Sequence, residues 1–480
     1  MTDAARLLFP AVRWDDERGD WDAAATLPAL AELGVGGYIL FGGPVDAVLD
    51  LTTMLRSASP HPILVAADLE RGAGQQFAGA TRLPPAAALA ALDDLRTTRR
   101  AGEVTGREAA ALGVDWVYGP VADLDVEPAN PIIGTRAFGS DPGAVARQVA
   151  AWIEGCGARA MTCAKHFPGH GRTTADSHST LPSVGASASV LDADLVPFRA
   201  AMEAGVDAVM TAHVAYPALD PSGVPATLSR PILQGLLRER LGFDGIVVTD
   251  ALVMEGVAGA DEDEGGVAVR AVAAGCDALL YPADPPAVAR ALETARGSAL
   301  PESRLSEALG RVRAAAGARG RRSLRPAGNV GRTADEAWSL ELAARTVHPV
   351  RGAPAAPPSF DLLTVDDDLG GPWPTPSRSA FEATLRKAGR AVTPVDRARG
   401  TPLVVAVFAD VRSHKGRPGL SGESMDRVRR AVDLVPASVV VLFGHPRLAD
   451  SVPGDHVLCA WGGEPLMQEA AAVALVGGGG

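Results

Sequence analysis

The sequence predicts an α/β protein: a (β/α)8 TIM-type barrel over residues 1–316, a linker over 317–339 and a smaller α/β sandwich domain over 340–480. Three observations carry that expectation. Short apolar runs alternate with Ala/Leu/Arg-rich helical stretches through the first part of the chain. Several of those runs end in an ionisable residue. The alternation then breaks at an Arg/Gly-rich stretch and resumes beyond it.

The apolar runs fall near 7–12 and at 36–41, 62–67, 114–118, 159–164, 207–211, 245–249 and 277–281. Runs buried on both faces and separated by helices form parallel strands joined by right-handed crossovers. Eight such units in about 290 residues match the size of a closed barrel. An open doubly wound sheet is the competitor, and no Gly-x-Gly-x-x-Gly follows the first run to support it.

The run ends are where chemistry is expected. Asp68 follows Ile63-Leu-Val-Ala-Ala, Lys165 and His166 follow Cys163-Ala, His213 follows Val209-Met-Thr-Ala, and Asp250 follows Ile246-Val-Val-Thr. Asp123 and Asp125 come shortly after the fourth run. Any one of these aspartates has an alternative as a helix N-cap. As a set at the C-terminal ends of barrel strands, they converge on one mouth.

The arginines and glycines of 317–339 read as a solvated connector rather than a nucleic-acid patch. Beyond it a helix at 340–347, apolar runs at 360–365, 403–408, 438–443 and 456–461, and a helix at 421–435 predict a sandwich with a mainly parallel sheet. The tail 477–480 carries no structural signal.

Composition narrows the function. A net charge of −12 and a pI near 5.3 argue against nucleic-acid and anionic-membrane partners. The four cysteines form no Cys-x-x-Cys pair and fit a reducing compartment. No basic, then apolar, leader opens the chain, and no apolar stretch reaches the ~18 residues of a membrane span. A cytoplasmic protein is the expectation, and no signal of oligomeric state is present.

The densest chemistry lies in 165–178, Lys-His-Phe-Pro-Gly-His-Gly-Arg-Thr-Thr-Ala-Asp-Ser-His. Pro168 and the glycines stop regular structure there. An Asp-x-His turn lets the Asp176 carboxylate bond one nitrogen of His178, which fixes the tautomer and favours the protonated ring. Such a ring donates a proton to a leaving oxygen and later takes one from water. Asp250 on the opposite face of a sugar serves as nucleophile. Retaining glycoside cleavage divides the work in this way, usually between two carboxyl groups. His170 reads as structural. A metal site built from His166, His170, His178 and Asp250 finds no support, since the histidines form no i, i+4 pair on a helix and no His-Glu-x-x-His is present. No metal and no cofactor are expected.

Lys165-His-Phe-Pro-Gly-His-Gly with Asp176-Ser-His closely resembles the signature of glycoside hydrolase family 3, in its NagZ-like β-N-acetylglucosaminidase branch. Asn130-Pro-Ile-Ile-Gly-Thr-Arg-Ala-Phe-Gly-Ser-Asp-Pro, Val209-Met-Thr-Ala-His-Val-Ala-Tyr-Pro and Val248-Thr-Asp-Ala-Leu-Val-Met-Glu-Gly resemble further segments of that family, in the expected order. The resemblance implies Asp250 as nucleophile, the Asp176–His178 dyad as general acid/base, and Asp68, Arg136, Lys165 and His166 as holders of the sugar hydroxyls, with His213 nearby. It implies a retaining exo-acting hydrolase that releases terminal β-linked N-acetylglucosamine from a small carbohydrate substrate, commonly in cell-wall recycling. β-Glucosidase, β-N-acetylglucosaminide phosphorylase and non-catalytic sugar-binding relatives are the alternatives. Two departures stand out. The family's Asp-x-Glu-Gly-Gly-x-Val-x-Arg is here Asp68-Leu-Glu-Arg-Gly-Ala-Gly-Gln-Gln-Phe, and the residue after the nucleophile, often Asp, is Ala251.

Overall fold

The structure, a computed structural model, describes residues 3–257, 263–319, 329–369 and 375–477. The chain separates into two compact units. The first comprises Met1–Thr81, Leu95–Leu124 and Ser140–Arg332, and the second Arg82–Asp94, Asp125–Gly139 and Thr333–Gly480. The second unit therefore draws two segments from within the expected barrel region.

In the first unit the strands are β1 (Leu8–Phe9), β2 (Ala11–Asp15), β3 (Asp20–Trp21), β4 (Gly37–Phe41), β5 (Leu64–Ala67), β6 (Trp116–Val117), β7 (Met161–Phe167), β8 (Ala208–Thr211), β9 (Ile246–Val248) and β10 (Leu279–Leu280). Every predicted run contributes to one of them. β5 to β9 are buried along their whole length, as parallel strands covered on both faces must be. β7 runs on through Lys165 and His166 to Phe167, beyond the expected end, before Pro168 stops it.

The strand ladders do not form one closed barrel. Eight strands pair in the order β3-β2-β4-β5-β6-β7-β8-β9, while β1 and β10 form a separate two-stranded sheet. β3 adds an antiparallel hairpin arm to β2, with Trp14 opposite Trp21. The division falls at Pro10, which lacks the N–H that would carry a ladder from β1 into β2. Between β9 and β10 there is a single bridge, Val248 to Ala278.

A repeated device holds the N-terminal ends of the strands. Asp115, just before β6, accepts from Val65 N–H at 3.0 Å and from Arg56 at 2.7 Å. Asp207, just before β8, accepts from Thr162 N–H at 2.9 Å and faces Arg319. Asp277, just before β10, accepts from Val247 N–H at 3.0 Å and from Arg238 at 2.6 Å. Each aspartate fastens its own strand to the one before it and neutralises its charge with an arginine.

Helices Pro142–Gly157, Glu264–Ala274 and Pro285–Ala295 start at Asp141, Asp263 and Asp284, each of whose carboxylates accepts a backbone N–H of the first turn. Helices Leu95–Ala111 and Pro142–Gly157 meet almost backbone to backbone. A Cβ on Gly102 would lie 2.2 Å from the Trp152 carbonyl oxygen, and one on Gly155 would lie 2.0 Å from that of Arg99.

The second unit holds a six-stranded sheet in the order β11-β16-β15-β14-β12-β13, made of β11 (His348–Arg351), β12 (Ser359–Asp366), β13 (Ala391–Val395), β14 (Leu403–Phe408), β15 (Val439–Phe443) and β16 (His456–Cys459). Only β11 is antiparallel. Alternate residues face opposite sides. Leu362, Phe408 and Phe443 pack with Phe381, Leu385 and Met467 on one side, while Leu363, Val405 and Leu442 pack with Val428, Ala431 and Val432 on the other. β11 and β13 were not among the predicted runs because they are short and mostly not buried.

The expected linker is shorter than 317–339. Helix Glu302–Arg319 takes its start and helix Thr333–Thr346 its end, and 320–328 lies outside the described residues. The second of these helices opens with Asp335 and Glu336, which suit a helix N-terminus. Among the described residues no helix is long and apolar enough to cross a membrane.

Candidate active site

Asp68, Lys165, His166, Asp176, His178, His213 and Asp250 all belong to the first unit, and Arg136 to the second. Asp68 directly follows β5, Lys165 and His166 end β7, His213 lies two residues past β8, and Asp250 lies two past β9. Parallel pairing of these neighbouring strands carries their C-terminal ends to one edge of the sheet.

Lys165 is buried, yet its ammonium lies 2.7 Å from a carboxylate oxygen of Asp68 and 2.7 Å from one of Glu70. Burial of that cation is tolerated because both partners carry the opposite charge. Glu70 is nearly buried, whereas Asp68 keeps 27% of its side chain exposed, so Asp68 is the carboxylate that a ligand reaches.

Asp123 organises the next layer. Its Oδ2 accepts from Nδ1–H of His166 at 2.7 Å, and its Oδ1 accepts from the His170 backbone N–H at 2.6 Å. The His166 backbone N–H also points at this carboxylate, at 3.2 Å from each oxygen. Burial alone would raise the Asp123 carboxyl; the His166 ring and the hydrogen bonds outweigh it and leave the group below its ordinary value. With Nδ1–H committed to Asp123, the ring is fixed in one orientation. Asp123→Ala is expected to lower kcat/KM about 100-fold through misplaced His166 and His170, with a smaller loss for Asp123→Asn. Steady-state kinetics on both variants checks this.

Asp176 and His178 form a hydrogen-bonded turn. The carboxylate Oδ1 accepts both the ring Nδ1–H, at 2.7 Å, and the His178 backbone N–H, at 2.9 Å. Asp176 is buried, while His178 keeps 28% of its side chain exposed. The bond to Asp176 engages Nδ1 and not Nε2.

His213 differs from the other imidazoles. It is completely buried, its Nε2–H donates to the Ala251 carbonyl at 3.1 Å, and its Nδ1 lies 2.7 Å from the Thr227 hydroxyl. Burial pushes the ring below its ordinary value, so it stays neutral at pH 7. The family resemblance sets His213 near the sugar-holding residues, and in the structure its ring bonds the backbone beside Asp250.

Asp250 is partly exposed, and its Oδ1 accepts from the Ala251 N–H at 2.8 Å. Burial would raise this carboxyl, but the facing rings of His166, His213 and His178, with that N–H, hold it at about 2. The dependence on His166 in β7, His178 in the segment after β7 and His213 just past β8 is the clearest sign that these groups share one site. Because the shift is downward, Asp250 remains ionised through the whole neutral range. The acid limb of kcat/KM due to this group is therefore expected near pH 2, which a pH–rate profile checks directly.

Arg136 ends a 3-10 turn, Gly134–Arg136, and donates to the Ile132 carbonyl at 2.9 Å. The same turn is held within the second unit, where the Thr135 hydroxyl donates to Asp410 at 2.7 Å. Among the described residues no three His, Cys, Asp or Glu side chains form a metal-holding group.

Glu70, Asp123 and Ser177 are site residues to which the sequence assigned no role. Asp123 was visible as a run-end aspartate. Glu70 was visible as the Glu of the Asp-x-Glu stretch that begins at Asp68.

A strand-end cluster that pairs a permanently ionised carboxylate with a carboxylate-bonded imidazole is the equipment of an acid/base hydrolase. Residues 11–315 match the profile described as the glycosyl hydrolase family 3 N terminal domain. A "Beta-N-acetylglucosaminidase/beta-glucosidase" of Cellulomonas fimi is 32% identical, over 93% of this chain and 87% of its own. A "Beta-hexosaminidase" of Chromobacterium violaceum is 41% identical over 51% of this chain and 71% of its own. The solved structure of a glycoside hydrolase family 3 β-N-acetylglucosaminidase from Paenibacillus sp. superposes with a TM-score of 0.86 at 27% identity, covering 99% of this chain and 96% of that one. A β-glucoside phosphorylase, BglX, shares the fold at 24% identity with a TM-score of 0.87, over 99% and 92%. The chain belongs to glycoside hydrolase family 3, and it is a glycoside hydrolase that acts on a small carbohydrate.

Proposed function

We propose that the enzyme is a retaining, exo-acting β-N-acetylhexosaminidase that releases terminal non-reducing β-linked N-acetylglucosamine by double displacement. One observation carries this reading: the Asp250 carboxylate is held ionised by a group of imidazoles that includes His178, itself bonded to Asp176. In the first step an Asp250 oxygen bonds the anomeric carbon while the glycosidic bond breaks, and His178 gives its Nε2 proton to the departing oxygen. In the second, His178 takes a proton from water, whose oxygen bonds the anomeric carbon and frees the Asp250 carboxylate. Asp68, Lys165 and His166 hold the sugar hydroxyls. The relatives named for N-acetylglucosaminidase and hexosaminidase activity support the choice of sugar.

The first unit is the catalytic domain in this reading, and its strands follow a (β/α)8-type arrangement whose ladders are interrupted at Pro10 and between β9 and β10. The β1–β10 pairing, the Val248–Ala278 bridge and the separation of β1 from β2 by Pro10 alone support that arrangement. A cytoplasmic setting fits four buried free cysteines.

Incubation with a slow fluorosugar substrate that keeps the 2-acetamido group, followed by mass spectrometry, tests the mechanism. An adduct on Asp250 is expected, and an adduct on any other carboxylate overturns it. A phosphorylase reading has one observation in its favour. An imidazole acid/base repels a phosphate acceptor less than a carboxylate does. Formation of sugar 1-phosphate, measured with and without inorganic phosphate, separates the two acceptors.

A further inference from the structure

We propose that Ser177, held by His170, is the positioning residue that sets the Asp176–His178 dyad against the rest of the site. The inference rests on the acid/base role of His178 given above. Ser177 sits between the two dyad residues and is only 1% exposed, like His170, while its neighbour His178 reaches toward solvent. Its hydroxyl lies 3.0 Å from Nε2 of His170, and its carbonyl accepts from the Gly256 N–H at 3.2 Å.

Both contacts lead to other parts of the site. His170 is anchored by its backbone N–H to Asp123, the carboxylate that also orients His166. Gly256 belongs to the segment that follows Asp250. A Cβ at that glycine would lie 2.6 Å from the Ser177 carbonyl oxygen and 2.8 Å from that of Thr180, so the two segments pack with no room for a side chain. Ser177 thus joins the loop carrying the acid/base to the strand end carrying Lys165 and His166 and to the segment carrying the nucleophile.

One neutral tautomer of His170 satisfies both of these ring bonds. The Thr173 hydroxyl donates to the His170 carbonyl at 3.2 Å, so its oxygen accepts Nδ1–H at 2.9 Å. Nε2 is then the acceptor for the Ser177 O–H. Burial supports this state by holding the ring down to about 4. His170 touches no substrate in this scheme. It acts through Ser177.

The test compares aryl glycosides of the accepted sugar with a poor phenolic or an activated dinitrophenolic leaving group. Only the poor one needs a proton from the acid, and kcat/KM reports the glycosylation step alone. His178→Ala, as reference, is expected to lose about 1,000-fold on the poor leaving group and under about tenfold on the activated one. Ser177→Ala is expected to follow the same pattern at about 10- to 100-fold, and so is His170→Leu. His170→Gln, whose side-chain oxygen can still accept from Ser177, is expected to recover most of the loss. Equal losses on both substrates, or wild-type rates in Ser177→Ala and His170→Leu, overturn the proposal. A His178→Ala enzyme without leaving-group dependence overturns the acid/base reading itself and this inference with it. Urea midpoints of each variant show which losses come from unfolding.

Discussion

Asp250→Asn is expected to lower kcat/KM by at least about 10,000-fold while leaving the fold intact, a loss of about 5.5 kcal/mol of transition-state stabilisation. The exchange is nearly isosteric, and the asparagine oxygen still accepts the Ala251 N–H that the carboxylate accepts at 2.8 Å. What disappears is the anion. A neutral amide does not bond the anomeric carbon. Kinetics on an aryl N-acetylglucosaminide, with circular dichroism to confirm folding, measures this. Activity within tenfold of wild type would remove Asp250 from the chemistry.

Asp277→Ala is expected to produce the largest loss of stability, about 3–5 kcal/mol, because it removes the carboxylate paired with buried Arg238 and leaves Arg304 and Arg311 with Glu307 alone. Asp277 is fully buried and meets Arg238 at 2.6 Å, Arg311 at 3.2 Å and Arg304. It also accepts the Val247 N–H, two residues into the strand that leads to Asp250. Urea unfolding reads the effect, and KM of the folded fraction is expected to stay near the wild-type value. An unchanged unfolding midpoint would show that the arginines are solvated without Asp277. Asp250 and Asp277 both flank short apolar runs, yet one stands after its run and the other before it. Parallel strands send the first to the edge that carries the reactive groups and the second to the opposite edge, which serves stability.

Acid is expected to weaken the fold through His170. Its ring sits at about 4 in the folded chain against an ordinary 6.5, so between those values the unfolded chain binds more protons. Stability from this group is complete above about pH 6.5 and falls as pH drops toward 4. The largest possible contribution is about 3 kcal/mol. Urea titrations at pH 7 and pH 4.5 should show that fall, and His170→Gln should flatten it.

Much of the site is legible in the order of residues alone. Lys165, His166, Asp176, His178 and Asp250 stand in short local patterns, and the strands beneath them announce themselves as unbroken apolar runs. Other features were out of reach. The 3-10 turn at Arg136 lies amid barrel-like sequence, yet its contacts place it in the second unit with Asp410. His213 was visible as a residue, but its burial and its bond to Ala251 depend on two neighbouring strands being adjacent. Pro10 was also visible, while its effect on the ladder depends on which neighbours pair on either side of it.

By itself the sequence determined where most buried strands lie and which of them are followed by reactive side chains, because both follow from residues a few positions apart. Only the tertiary structure decided who meets whom: Lys165 with Asp68, 97 residues away, and His166 with Asp123, 43 away. A hydrogen bond forms only over about 3 Å and in one direction, so its partners are set by the arrangement of strands in space rather than by distance along the chain.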